Sequence, residues 1–212
     1  MSFACCILAA IRVYLKEDYS YLFLIWNLFL AWVPLIIVFY LKKVYLKIHK
    51  KYFLLVSCCM IWLLFFPNSP YIITDLIHIN PEQNGRAWYD AILIFSFALT
   101  GLIAGFISLY LLHEILDSLF NKYLNWSIIL LIFLLSGYGI YLGRVLRWNS
   151  WDLFIHPKPL LSDVTKQIEN PEAIFMTAVL TFFMIFSYLI LHSLINLKYQ
   201  EKENDQNKKM PE

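Results

Sequence analysis

The sequence predicts an all-α protein: a polytopic transmembrane helix bundle of about six spans, with a broken third helix and a short amphipathic interfacial segment. Three observations carry that prediction. Of 212 residues, 60% are hydrophobic and only 15% charged, whereas a soluble domain averages about 45–50% apolar and about 25% charged. Several apolar runs approach or exceed the roughly 18–20 residues that cross a bilayer. The lysines gather at the ends of those runs. No long polar linker divides residues 1–197, so they read as a single integral membrane domain. The remainder, 198–212 ("KYQEKENDQNKKMPE"), reads as a polar, disordered cytoplasmic tail. The lipid bilayer is the expected partner. A net charge of +2 argues against nucleic acid.

The spans are expected at about 1–15, 20–41, 52–67, 88–113, 123–144 and 173–197. The first, "MSFACCILAAIRVYL", has no basic residue before its apolar core. It therefore reads as a short retained span and not as a cleaved signal. Cys5, Cys6, Cys58 and Cys59 form two adjacent pairs, which is not the spacing of a zinc site. They read as small buried apolar residues. The second and third spans are joined by "KKVYLKIHKKY", with Lys42, Lys43, Lys47, Lys50 and Lys51. The positive-inside rule makes this connection cytoplasmic, and the basic tail agrees with it. Both termini are then expected in the cytoplasm, in a cell (plasma) membrane. The one long outer connection, 145–172, carries Pro157, Pro159 and Pro171 and should not be a single regular element.

The third span runs into "FPNSPYIITDLIHI". A helix that starts after an Asn68 N-cap tolerates Pro70 in its first turn. At about 100° per residue, Asn68, Tyr71, Asp75 and His78 then form one polar stripe. The fourth span opens with "AWYDAILIF", which sets Asp90 in its first turn. The fifth ends in "GYGIYLGRVLRWNSWD": a Gly139/Gly143 pair suited to close packing, then Arg144, Arg147, Asn149, Trp151 and Asp152. Asn27 and Trp32 lie in the outer half of the second span. Each residue has a plain alternative. The stripe could simply face water, Asp90 could complement its helix dipole, the arginines could snorkel within an aromatic belt, and Asn27 could only bond a neighbouring helix. Their convergence on one membrane face argues for function, because ionisable groups at membrane depth are costly. His113 and Glu114 fall at the opposite end. They lack the second histidine of H-E-x-x-H, since Asp117 stands in its place, and no metal site is expected.

These blocks, with "NLFLAWVPL", resemble a bacterial multi-pass membrane family known as domain of unknown function 1361. The resemblance runs from about Asn27 to the sixth span. It implies an integral membrane protein and no particular activity or cofactor.

The residues thus point to an outer-face site that binds an anionic envelope or lipid-linked ligand, or assists envelope assembly. Asn68, Tyr71, Asp90, Arg144, Arg147, Asn149, Trp151 and Asp152 are the expected ligand contacts. One alternative is a membrane-embedded hydrolase or transferase acting on a lipid head group, with Asp75 and His78 as catalytic residues. Another is a small-solute transporter built on the broken helix, against which the break is expected near the outer face. A third is purely structural: Asp75 or Asp90 pairs with Arg144 or Arg147 and pins the bundle.

Overall fold

The computed structural model describes residues 1–16, 19–47, 52–79 and 87–208. Much of the basic 42–51 connection, nearly all of the 79–87 connection, residues 17–18 and the last four residues of the tail lie outside the described residues. The order is α1 (Ser2–Lys16), α2 (Phe23–Lys47), α3 (Tyr52–Phe65), α4 (Asn68–Tyr71), a 3-10 helix (Ile72–His78), α5 (Ala87–Asp117), α6 (Lys122–Val145), α7 (Asp152–Ile155), α8 (Pro157–Gln167) and α9 (Pro171–Lys208). Among the described residues there is no strand, and the all-α bundle stands as predicted.

Local chemistry sets several boundaries. Asn121 caps α6 by accepting from the Leu124 N–H at 2.9 Å. Asn170 accepts from the Glu172 N–H at 2.9 Å and is followed by Pro171 at the first position of α9. Among the described residues, five stretches are long and apolar enough to span a bilayer: Phe23–Lys43, Phe53–His78, Ala87–Asp117, Lys122–Val145 and Pro171–Leu197. The first expected span, α1, has 15 residues, roughly 22 Å of helix. It packs antiparallel to α5, with Arg12 on Asp90 and Cys5 on Thr100. Ser2 meets only Trp32 of α2, at 3.1 Å, so α1 covers about half the depth of the bundle. At its other end the chain goes further than expected. Helix α9 continues past residue 197 as far as Lys208, because the Glu, Lys and Gln of the tail are good helix formers.

The core is centred on α2 packed along α5, with α4 and the 3-10 helix lying against both. Helix α6 packs chiefly on α9, and Phe106, Phe133 and Tyr188 join that pair to α5. Trp62 stacks on Phe66 at 4.6 Å and donates to Ser108 Oγ at 3.3 Å, tying α3 to α5. Of the cysteines, Cys5 is buried, Cys58 and Cys59 are half-buried, and Cys6 is exposed, which corrects its expected burial. Cys6 follows Cys5 by one helical step, so it faces away from the seam that Cys5 enters.

The broken third helix is present, and the segment after the break belongs to the same apolar stretch, Phe53–His78, that is long enough to span a bilayer. It runs down the bundle and completes the third span. Ser69 donates to the Ala31 carbonyl at 3.0 Å and sits against Gly105, near the middle of the 31-residue α5. The break therefore falls level with the middle of α5, deeper in the bundle than the expected place at the outer end of the third span. The cause is steric: a Cβ on Gly105 would lie 2.4 Å from Ser69 Cβ, so only glycine lets this segment enter. The expected Asn68 cap is absent, because Pro67 keeps right-handed helical angles and α3 passes into α4 without an extended residue.

Gly105→Leu should therefore expel the 68–78 segment and lower the thermal midpoint of the detergent-solubilised protein, by the equivalent of about 1–3 kcal/mol. Gly139→Ala, whose Cβ would meet Pro67 Cγ at 3.3 Å, should cost clearly less.

Candidate functional site

The break frees backbone carbonyls, and two side chains answer them. Ser69 N bonds Phe66 O, and Tyr71 N bonds Pro67 O. The Phe65 carbonyl accepts instead from Asn68 Nδ2 at 2.9 Å, and the Leu64 carbonyl from Ser150 Oγ at 2.9 Å. Asn68 Nδ2 also reaches Ser150 Oγ at 3.1 Å. The turn after α6 is thereby clipped onto the break.

Beyond Tyr71 the backbone tightens to 3-10 geometry, in which residues three apart eclipse. Asp75 and His78 thus share a face. Arg144 of α6 meets that face and is bonded through all three of its nitrogens. Its Nη2 lies 2.5 Å from Asp75 Oδ1 and its Nη1 3.2 Å from His78 Nε2. Its Nε donates to Thr74 Oγ1 at 3.0 Å. Thr74 is free to accept because its own proton goes to the Tyr71 carbonyl at 2.6 Å. A guanidinium can only donate, so His78 Nε2 accepts and Nδ1 carries the ring N–H. Asp75 is 1% exposed, and its second oxygen accepts from Asn27 Nδ2 at 3.1 Å. The Tyr71 ring covers the guanidinium at 4.9 Å. Gly143 leaves room for that ring, and Gly139 for Pro67.

Asp90 does not join this group directly. It pairs with Arg12 of α1, Nε to Oδ1 at 2.9 Å, and both side chains are almost fully buried. Arg12 lies over the Tyr21 ring at 4.0 Å, and Tyr21 donates to the His78 carbonyl at 3.1 Å. The two ion pairs are therefore neighbours joined through Tyr21. Sequence reasoning missed Arg12, Tyr21, Thr74 and Ser150. Arg12 carried a usable signal, as the one charge within a 15-residue apolar run.

Arg147 stands apart. It is exposed and has φ 61, the left-handed region. It makes no hydrogen bond or ion pair among the described residues. The Leu142 carbonyl accepts from both the Leu146 and Trp148 N–H groups, which fixes the reversal. Asp152 holds the turn by accepting from Asn149 N at 2.7 Å and from Asn149 Nδ2 at 3.1 Å. Trp148 donates to Asp163 Oδ2 of α8 at 3.1 Å, and Trp151 packs edge-on against Trp26 at 6.3 Å. Beside this turn opens a cavity of about 720 Å³ between α2, α3, α4 and α6. Asn27, Asn68, Tyr71, Asn149 and Ser150 line its polar end, and the rest is apolar apart from Ser57. The Tyr71 hydroxyl has no hydrogen bond among the described residues.

At the far end of the bundle, Glu114 pairs with Lys42 at 2.8 Å, half exposed. His113 Nδ1 meets the Tyr188 hydroxyl at 2.8 Å, and Asn125 Nδ2 bonds Asp117. These contacts hold α5, α6 and α9 together. Among the described residues, no group of three or more His, Cys, Asp or Glu side chains is arranged to hold a metal ion.

Among the described residues, five stretches long and apolar enough to span, a discontinuous third helix and buried ion pairs at one end define a multi-pass α-helical membrane protein. The family model described as "Protein of unknown function (DUF1361)" matches residues 26–190, and the chain belongs to that family. No curated protein and no solved structure matches the chain.

Removing one member of the buried Asp75–Arg144 pair leaves the other charge uncompensated. Asp75→Asn should destabilise by about 3–5 kcal/mol, read from thermal unfolding in detergent. The double variant Asp75→Leu/Arg144→Met should recover most of that loss. If the double variant is no more stable than Asp75→Asn, the pair is not what holds the 3-10 segment.

Proposed function

We propose that the protein binds an anionic envelope ligand, free or lipid-linked, at the end of the bundle that carries Arg144 and Arg147, and that this end faces out of the cell. The observation that carries this reading is Arg147. A left-handed backbone costs an L-residue roughly 1–2 kcal/mol, and glycine would remove that cost. An arginine there, exposed and with no hydrogen bond or ion pair among the described residues, is best explained by use of its planar fork on a phosphate or carboxylate. The Tyr71 hydroxyl, which has no hydrogen bond among the described residues, supplies a second donor. Arg144, Asp75, Thr74 and Asn27 act as positioning residues that hold Tyr71 and the end of α6 in place. The same site would serve an assembly factor that presents such a ligand.

The enzyme reading has less support. Both Asp75 oxygens are engaged, and the accepting nitrogen of His78 faces Arg144, so neither offers a free base. Transport gains from a break level with the middle of α5, since discontinuous helices mark transporter sites. It loses because Asn68 and Ser150 already occupy the freed carbonyls. The outward orientation rests on the positive-inside reading of the 42–51 lysines, of which Lys42, paired with Glu114, lies at the opposite end from Arg144.

The Arg147 series separates binding from folding. Native mass spectrometry of the purified protein should show phosphatidylglycerol retained in preference to phosphatidylcholine. Arg147→Gly should lose that preference while gaining up to about 1 kcal/mol of stability. Arg147→Lys should keep only part of it. Unchanged retention in Arg147→Gly would remove the proposal. His78→Gln should leave retention intact, because Gln keeps an acceptor for Arg144. In a background without native cysteines, an impermeant maleimide applied outside should label a cysteine at Lys158 and spare one at Asn204. The opposite pattern would invert the orientation.

A further inference from the structure

We infer that the cavity beside the Trp148–Ser150 turn takes a hydrocarbon chain of the ligand, so that the ligand is an anionic lipid held by head and tail together. This rests on the anion-binding reading of Arg147 and adds the class of molecule. The cavity is a groove whose two long walls come from α3 and α6, with Leu153, Phe154 and Leu160 of α7 and α8 bordering it; α3 packs chiefly on α2, and α6 on α9. Leu30, Val56, Met60, Ile61, Leu135 and Leu142 make the walls. Met60 is 63% exposed and Leu135 44%, so the groove opens sideways at the depth of the spans, where acyl chains surround the protein.

Polarity changes along its length. The far walls carry one polar side chain, Ser57, whereas Tyr71, Asn149 and Ser150 close the near end; Arg147 is outside the lining itself and directly precedes Trp148, which belongs to it. A free anion would use only the near end. A peptide would bring backbone N–H and C=O groups into walls that cannot bond them. A zwitterionic choline lipid would set a trimethylammonium against the guanidinium. An anionic lipid matches both ends. Its chain gains little from leaving other lipid chains, so selectivity comes from the head and position from the groove.

The test uses the full-length protein in phosphatidylcholine nanodiscs doped with phosphatidylglycerol that carries a diazirine in one acyl chain. After photolysis, adducts are mapped by peptide mass spectrometry. The expected result is adducts at Val56–Ile61 and Leu135–Leu142 in at least about threefold excess over Phe182 and Phe186, exposed on α9. The phosphatidylcholine probe with the same chain should show no excess. Ser57→Phe, which fills the groove, should abolish the excess. Leu135→Trp repeats the test if Ser57→Phe does not give a monodisperse protein. Glycerol 3-phosphate, which has the head chemistry and no chain, should compete poorly. Adducts spread evenly over the groove and α9, or equal competition by glycerol 3-phosphate, would overturn the groove assignment. Arg147-dependent retention of phosphatidylglycerol would then still stand. Equal groove labelling by both probes, unchanged in Arg147→Gln, would overturn the anionic-lipid assignment and the anion-binding reading with it.

Discussion

A guanidinium set among apolar helices has to be neutralised, and the way Arg144 is neutralised decides how the third span ends. Insertion scales put an unpaired arginine at mid-membrane at roughly 2.5–3.5 kcal/mol. Here the charge is met by Asp75, and the remaining N–H groups by Thr74 and His78. All three partners lie within one 3-10 turn and its neighbour. The contact is also a seam. Helix α6 belongs chiefly with α9, whereas the 3-10 helix belongs with α2 and α5. Together with Ser150 and Asn68, which join the α6–α7 turn to the break, Arg144 ties the two halves at this end.

The cavity follows from the same constraint. Gly105 admits Ser69 close to α5 and draws the chain inward at Pro67. The flank of α3 away from α2 then borders the cavity. The prolines would ordinarily leave carbonyls exposed to this apolar space, at a cost of several kcal/mol each. Asn68 and Ser150 remove that cost, so the groove keeps a satisfied polar end and a nearly featureless apolar body.

Much of this was legible in the sequence, and the failures have identifiable causes. Hydropathy sufficed for the helices, and Pro67 for the break. Asp75, His78 and Arg144 were brought to one place by counting basic residues at span ends, because an ionisable residue in a membrane needs a partner. Which acid met which arginine was not legible. Asp90 and Asp75 were equivalent candidates until the helix order around the bundle was known, and Arg12 had not been counted as a membrane charge. The depth of the break was also hidden. It depends on Gly105 receiving Ser69, a pairing between residues 36 apart with no marker in either segment. The expected α-helical stripe joined Asn68 to Asp75 and His78. The 3-10 turn parts them, so that Asn68 serves the break while the other two serve Arg144. Composition does not distinguish these two helix types over seven residues.

The 3-10 geometry of Ile72–His78 also makes the segment a gauge of rotation. At about 120° per residue, Asp75 and His78 point the same way, whereas relaxation to an α-helix would turn one from the other by about 60°. In the tighter winding Arg144 meets both. The guanidinium thus acts as a clasp on an overwound strand of rope. Any event that loosened the clasp would let the segment unwind, shorten along the bundle axis and rotate Asn27's partner away from α2.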